Sequence, residues 1–438
     1  MSGSCSSPVN PALLSCTDRY STSRRKRDHN LTKGTSRNPL RSIATVDIVL
    51  ISVIAVIVVA FIFDFTNGFH DAANSVATVV ATRALPAKWA PTFSAVFNFL
   101  AYFVVGTAVA NTIAKTVKSD YAGVSVVFAA LFAAIAWNYL TWRFGLPSSS
   151  SHAIIGGLVG AGIAAGGLAA ISWESVQKAA IGIIASPAVA FSIAFLAMFL
   201  VRGLQRAFKL RDNAPLFKGL QLITAAAVSF GHGANDAQKT MGVIAALLLG
   251  AGYTTMAEDG STVVVPEWVA LSAYGAIAIG TLWGGWKIIE TMGLKITLLH
   301  ANSGAAANIG AATAMFGATA MGMPISTTHA AATSIVGAGV GSGMGARWRV
   351  VGRMVIAWVV TIPAAATVAF IMLKLTLLPT FFAFLSVGLV VVAFAAWAIW
   401  AMIHTIHAKD VEAEILPEAD LAKSTDGHPH VLPHGMPE

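Results

Sequence analysis

The chain of 438 residues is 56% hydrophobic and only 11% charged, with a mean hydropathy of +0.71 and a formal net charge of +8. A soluble globular domain carries about 25% charged residues, so a water-soluble fold of this length is excluded and the bilayer must act as part of the solvent.

In chain order, residues 1–42 hold eight Lys or Arg against two acids, including Arg24, Arg25, Lys26 and Arg27, with no periodic apolar patterning. They read as a disordered basic tail near anionic headgroups. Their Ser- and Arg-rich character also fits an organellar transit peptide or an over-extended start. No apolar segment precedes residue 43, so the tail is not a secretory signal. The cysteines, Cys5 and Cys16, both fall in it, and no disulfide or Cys-based metal site is proposed for the core.

Apolar stretches of spanning length follow at about 45–63, 90–111, 122–143, 150–171, 178–201, 219–249, 268–288, 304–322, 326–345, 353–373 and 377–403. Two stretches, 45–83 and 219–249, exceed one span and are interrupted by polar, Gly-containing sequence. Both are expected to be broken or paired helices. Arg202, Arg206, Lys209, Arg211 and Lys218 divide the chain into halves. The positive-inside tendency favours a cytoplasmic side for this segment, but the N-terminal arm is equally basic, and an odd number of spans per half cannot put both inside. Orientation therefore stays open. Residues 409–438 hold seven acids against two lysines and read as an acidic disordered tail. The expected organisation is a basic tail (1–42), a first transmembrane repeat (43–203), a basic central loop (204–218), a second repeat (219–373), a C-terminal transmembrane helix (374–408) and an acidic tail (409–438). The expected fold is all-α and polytopic, with about 10–12 transmembrane helices.

The halves resemble each other. Residues 65–74 read FTNGFHDAAN and residues 230–239 read FGHGANDAQK, an offset of 165 that pairs Asp71 with Asp236. Residues 145–162 read GLPSSSSHAIIGGLVGAG and residues 322–339 read GMPISTTHAAATSIVGAG, an offset of 177 that pairs His152 with His329. Two polar motifs in one order at nearly one offset indicate duplication. Duplicated halves with interrupted helices point to a secondary transporter with its site at the repeat interface.

Asp71 and Asp236 sit inside apolar stretches, where a charge costs roughly 2.5–3.5 kcal/mol and usually faces a cavity or an ion path. Asn67, Asp71, Asn74, Asn235 and Asp236 suit a small cation or a proton. Pro147 with Ser148 to Ser151, and Pro324 with Ser326, Thr327 and Thr328, read as helix starts capped by hydroxyls. Their free N–H groups and positive dipole ends form an anion site without a basic side chain. Two such starts brought together could clamp a tetrahedral oxyanion. His70 and His232 flank the aspartates and are candidate proton relays, whereas His152 and His329 are read as orienting the Ser/Thr turns. Lys239, three residues after Asp236, can pair with it on a helix. A fixed cation there would repel sodium, which favours protons or a cation site in that half already filled by the lysine. The Gly-rich stretches 156–167 and 337–345 lack the strand and lysine of a phosphate loop and read as close-packing faces.

These segments resemble the inorganic phosphate transporter (PiT) family. The paired G-x-x-D-A-x-N and G-A-N-D-A-Q-K segments are similar to its duplicated Gly-Ala-Asn-Asp signature. G-M-P-I-S-T-T-H is similar to its second-half motif, and RWRVVGRMVIAWVVTIPAA at 347–365 to the stretch that follows; the similarity spans roughly residues 45–373. The resemblance implies a symporter of two inverted-topology repeats holding phosphate between them, coupled to sodium or protons. It places Asp71, Asn74, Asn235 and Asp236 at the signature residues, Ser149, Ser150 and Ser151 at the first hydroxyl turn, and Ser326, Thr327 and Thr328 at the second. Three departures bear on coupling. Phe69-His70 stands where many members have Ala-Asn, Gln238-Lys239 replaces an Ala-Asn ending, and Asn308 lies where relatives often carry glutamate. The Gln-Lys ending looks like the proton-coupled bacterial branch, which is associated with carrying phosphate as a neutral complex with a divalent metal.

The expected function is symport of inorganic phosphate across the cell (inner) membrane, driven by protons, with no cofactor and no resident metal. The expected phosphate ligands are Ser149, Ser150, Ser151, Ser326, Thr327, Thr328 and Asn235. The expected coupling residues are Asn67, Asp71, Asn74, Asp236 and Lys239. The partners are phosphate, a coupling cation and the lipid bilayer, with no nucleic acid; a homodimer is left open. Alternatives are sodium coupling, or another tetrahedral oxyanion such as sulfate. A channel would carry current without concentrative uptake, and duplicated charged motifs at helix breaks argue instead for alternating access. An enzyme is not expected: Ser151 and His152 are adjacent, so on a helix they diverge by about 100° and cannot easily form a nucleophile–base contact.

Overall fold

The computed structural model describes residues 39–415 apart from Asp259, with side chains from residue 48. The basic tail, its cysteines and the acidic segment beyond 415 lie outside the described residues. The elements are α-helices, with short 3₁₀ turns and one π turn. The first half contains α1 (Pro39–Asp71), α2 (Ala73–Ala81), α3 (Ala90–Leu100), α4 (Ala108–Ala114), α5 (Val124–Arg143), α6 (Ser150–Gly166) and α7 (Trp173–Phe208). The second contains α8 (Pro215–Gly250), α9 (Glu267–Trp283), α10 (Trp286–Glu290), α11 (Ala301–Ala320), α12 (Thr327–Gly341) and α13 (Trp348–Thr376). Two helices follow, α14 (Thr380–Ile403) and α15 (Ala408–Glu414).

Among the described residues, six helices are long and apolar enough to cross a membrane, or eight if each bent pair counts as one span. The long helices α8 and α11 sit inside the bundle and carry polar residues on buried faces. The breaks fall elsewhere than expected. Helix α8 runs unbroken through residues 230–239, and α1 lapses only at Ala72, whose backbone stays right-handed. The sharp bends come one element later: α3 and its 3₁₀ extension meet α4 at 87°, and α9 meets α10 and its π turn at 68°. The physical reason is local. Gly284 takes a left-handed φ of 70° at the second bend, whereas Gly233 within α8 keeps helical geometry and lets the Asn98 carbonyl approach.

Both Ser/Thr turns are built alike. Gly145 (φ 63°) and Gly322 (φ 60°) supply the left-handed residue that reverses the chain after α5 and α11. The serine two residues after the motif proline then caps the next helix: Ser149 Oγ accepts from His152 N at 3.1 Å and Ser326 Oγ from His329 N at 3.1 Å.

The halves are interleaved. Helix α6 lies against α5 of its own half and α13 of the other, while α12 lies against α11 and, across the halves, α7. Small residues make this possible. A Cβ on Gly160 would meet the Ala366 carbonyl oxygen at 2.0 Å, and one on Gly337 the Phe191 carbonyl oxygen at 2.4 Å. The Gly-rich stretches are thus close-packing faces. The basic linker is shorter than the expected 204–218, because α7 continues to Phe208 and α8 begins at Pro215. Residues 409–414, expected to be disordered, lie in α15: His407 and Asp410 close a capping box, Val411 and Ile415 are buried, and Glu412 accepts from Ala87 N at 3.1 Å.

Gly160→Ala and Gly337→Ala should each destabilise the detergent-solubilised protein by about 1–3 kcal/mol through overpacking. Gly352→Ala, with open space around its Cβ, should leave the thermal midpoint unchanged or raise it. Equal midpoints for all three would refute the interleaved packing.

Candidate functional site

The duplicated motifs meet in the buried centre. One ligand atom each from Asp71, His232 and Asp236 lies within 4.8 Å of the others, so the two pseudo-equivalent aspartates face one another. All three are buried.

Each aspartate is joined to the first Ser turn by a basic side chain. His70 Nδ1 lies 2.6 Å from Asp71 Oδ1, and His70 Nε2 lies 3.1 Å from Thr141 Oγ1 and 3.4 Å from Ser148 Oγ. Lys239 Nζ donates to Asp236 Oδ1 and to Ser151 Oγ, and to the Ile325 carbonyl at 3.0 Å. Ser151 Oγ donates to the same carbonyl at 2.7 Å, so the start of α6 abuts the loop that leads into α12.

The second turn is held by both halves. Asn74 Nδ2 donates to Thr327 Oγ1 at 3.3 Å and Thr328 Oγ1 at 3.2 Å, and Thr327 Oγ1 donates to Asp236 Oδ2 at 3.1 Å. Asn74 and Lys239 occupy equivalent repeat positions, and each reaches the Ser/Thr turn of the opposite half. Asn67 Nδ2 donates to Asp236 Oδ2 at 3.3 Å, while His232 lies 3.4 Å from the same oxygen and 3.1 Å from Asn98 Oδ1.

Other residues singled out in the sequence are occupied structurally. Asn235 donates to Thr319 Oγ1 at 3.0 Å and to the Met323 carbonyl at 3.2 Å, and accepts from Ile325 N at 3.3 Å, bracing the loop before α12. Ser149 and Ser326 spend their hydroxyls on capping. His152 and His329 stack edge to face, centroids 4.4 Å apart, with His329 on Trp358 at 3.9 Å. Asn308 accepts from Thr78 Oγ1 at 2.9 Å and ties α2 to α11. In contrast, Ser150 Oγ and the side-chain oxygens of Asn67 and Asn74 are buried without a hydrogen-bond partner among the described residues.

Two contributors, and one carboxylate outside the hydrogen-bonded network, carry no motif or go unmarked by the repeat. Thr141 and Asn98 carry no motif signal. Asp64 does: it is a charge inside an apolar run, seven residues before Asp71 and so two turns along the same helix face.

Removing one partner of a buried ion pair costs about 3–5 kcal/mol, because the other charge is left uncompensated. Asp236→Asn should therefore lower the thermal midpoint more than the double variant Asp236→Asn/Lys239→Gln. The reverse order would show that the pair does not carry that burial.

Residues 67–369 match the family described as the phosphate transporter family, and the match takes in Asp71, Asp236 and both Ser/Thr turns. A relative from Rhizobium meliloti (strain 1021), named a probable low-affinity inorganic phosphate transporter, is 46% identical over 321 residues, covering 72% of this chain and 94% of that protein. A relative of the same name from Bacillus subtilis (strain 168) is 43% identical over 325 residues, covering 73% and 96%. The solved structure titled the sodium-dependent phosphate transporter superposes with a TM-score of 0.66 at 24% identity, covering 75% of this chain and all of that one. At that identity the likeness speaks for the fold. With its apolar helices and these relatives, the protein is a multi-pass membrane protein, and the chain belongs to the phosphate transporter family.

Proposed function

We propose that this chain is a secondary active transporter that carries inorganic phosphate in symport with protons. The observation that carries the reading is the convergence of two Ser/Thr helix starts on a buried aspartate pair, with the Lys239 ammonium joining Asp236 to the first turn. The first N–H groups of α6 and α12 have no intrahelical acceptor and, with the positive ends of both helices, favour an anion. Ser150, Ser151, Thr327 and Thr328 would bind the phosphate oxygens. Asn235, Ser149 and Ser326 would act by shaping the loops that present them. The relatives are named transporters, and phosphate as substrate rests on that kinship together with this donor set.

Proton coupling is supported by Lys239. An ammonium fixed on Asp236 takes the place a sodium ion would need in the second half, whereas Asn74 holds the equivalent position in the first. A second reading, in which phosphate travels as a complex with a divalent metal, is favoured by the convergent donors of Asp71, His232 and Asp236. The metal would then be cargo, sharing the site with the anion.

Labelled phosphate should enter proteoliposomes against its gradient when a pH gradient is imposed, and not with a sodium gradient alone. Uptake of sulfate with exclusion of phosphate would overturn the substrate, and uptake driven by sodium alone would overturn the coupling. Asp71→Asn should abolish this uptake in protein that remains folded, and wild-type rates would remove Asp71 from the pathway. Lys239→Asn, which restores the residue type of the first half, should raise sodium dependence; an unchanged ion profile would reject the lysine as a built-in cation.

A further inference from the structure

Asp64 lies in α1 with no exposure to solvent, and neither of its oxygens meets hydrogen-bond geometry with any described residue. Two further groups beside it are in the same state. Thr240 of α8 and Tyr274 of α9 lie near it. The Thr240 and Tyr274 hydroxyls are likewise buried without a well-formed hydrogen bond among the described residues. Three helices thus bring one carboxylate and two hydroxyls together, apart from the hydrogen-bonded centre formed by Asp71, Asp236 and Lys239.

We propose that Asp64, with Thr240 and Tyr274, is the carrier of the coupling proton, a site separate from the aspartate pair and present in the first half alone. The proposal rests on the phosphate-symport reading above. The titratable and charged groups that face Asp64 are Asp236 and Lys239 from α8 and Tyr274 from α9; His70 and Asp71 lie further along its own helix. Lys239 offers no salvation from burial, because its ammonium is already shared among Asp236, Ser151 and the Ile325 carbonyl. A carboxylate buried with no ion-pair partner and no well-formed hydrogen bond among the described residues is costly to hold in its ionised form, and taking up a proton removes that cost. A hard cation instead asks for about six oxygen ligands, and these three side chains supply fewer. The repeat underlines the asymmetry: at the offset of 165, Asp64 corresponds to Ser229, whose hydroxyl simply donates to the Ala225 carbonyl at 2.9 Å.

The position also suits coupling. Asp64 is two turns before Asp71 on the helix that bears Asn67 and His70, and Thr240 directly follows Lys239. A change of charge at Asp64 is therefore felt by both helices that carry the aspartate motifs. Proton uptake at Asp64 leaves the loaded site neutral there and free to reorient. Proton release on the other side restores the carboxylate.

The test compares two modes of transport in proteoliposomes holding wild type, Asp64→Asn and Asp64→Ser. The serine variant copies the residue at the repeat-related position and serves where asparagine disturbs folding. Exchange of labelled for unlabelled phosphate without a pH gradient needs only a loaded carrier that reorients, and a neutral side chain mimics the protonated acid. Exchange should therefore stay within about twofold of wild type, while accumulation driven by a pH gradient should fall at least tenfold. Asp64→Glu, which keeps a titratable carboxyl, should retain accumulation. Proton-driven accumulation by Asp64→Asn or Asp64→Ser would overturn the proposal. Loss of exchange as well as accumulation in folded protein would also overturn it, assigning Asp64 to binding or architecture. If wild type exchanges phosphate but ignores the pH gradient, the proton site falls and phosphate transport stands; if wild type exchanges no phosphate, both fall.

Discussion

Lys239 places an ammonium group where no solvent reaches, and the centre of the molecule is arranged to satisfy it. Taking a cation and an anion out of water together is costly, and the loss is recovered only when the geometry supplies further hydrogen bonds. Asp236, one turn earlier on α8, supplies the opposite charge; Ser151 and the Ile325 carbonyl supply the rest. These partners belong to α8, to the start of α6 and to the loop before α12. One buried charge therefore ties both Ser/Thr helix starts to the aspartate motif of the second half. Asp236 completes the arrangement by accepting from Asn67 and Thr327. The positions of the two Ser/Thr turns and of Asp236 are thus mechanically linked.

The frame around this centre is nearly symmetric, but its chemistry is not. Reciprocal packing of α6 on α13 and α12 on α7 depends on small residues at equivalent places. Polar positions diverge: Asn74 matches Lys239, Asp64 matches Ser229, and His70 matches Asn235 at the offset of 165. The lining diverges as well. Trp358 of α13 donates from Nε1 to the Pro147 carbonyl at 2.8 Å, whereas Gly182, at the equivalent place on α7, lies against the Pro324 carbonyl. A cavity of about 100 Å³ lined by Gly182, Ser186, Met323 and Ile325 opens beside that glycine. The two halves thus exchange packing partners but carry different charges.

Much of the site was legible because its signals are local. A carboxylate inside an apolar run, a Gly-x-Pro followed by hydroxyls, and a lysine three residues after an aspartate each carry their meaning within about one helical turn. The caps at Ser149 and Ser326 and the Lys239–Asp236 pair formed as that spacing implies. The breaks did not. Polar, Gly-containing sequence within 219–249 suggested an interrupted helix, yet those glycines serve close approach of neighbouring backbones and α8 continues. Asp64 has a serine as its counterpart, so the likeness of the halves does not mark it as it marks Asp71 and Asp236.

What the sequence by itself determined was therefore the membrane setting, the duplicated motifs and the helix starts, because hydropathy and capping act over short stretches of chain. The tertiary structure decided which polar atoms are spent on architecture and which stay without a partner. Asn235 braces a loop, Ser149 and Ser326 cap helices, and Ser150 and Asp64 are left without a well-formed hydrogen bond among the described residues. That division rests on contacts between residues far apart in the chain, such as Ser151 with Lys239 or Asn74 with Thr328. Burial and hydrogen-bond supply are properties of the packed interior, and they exist only once the halves have interleaved.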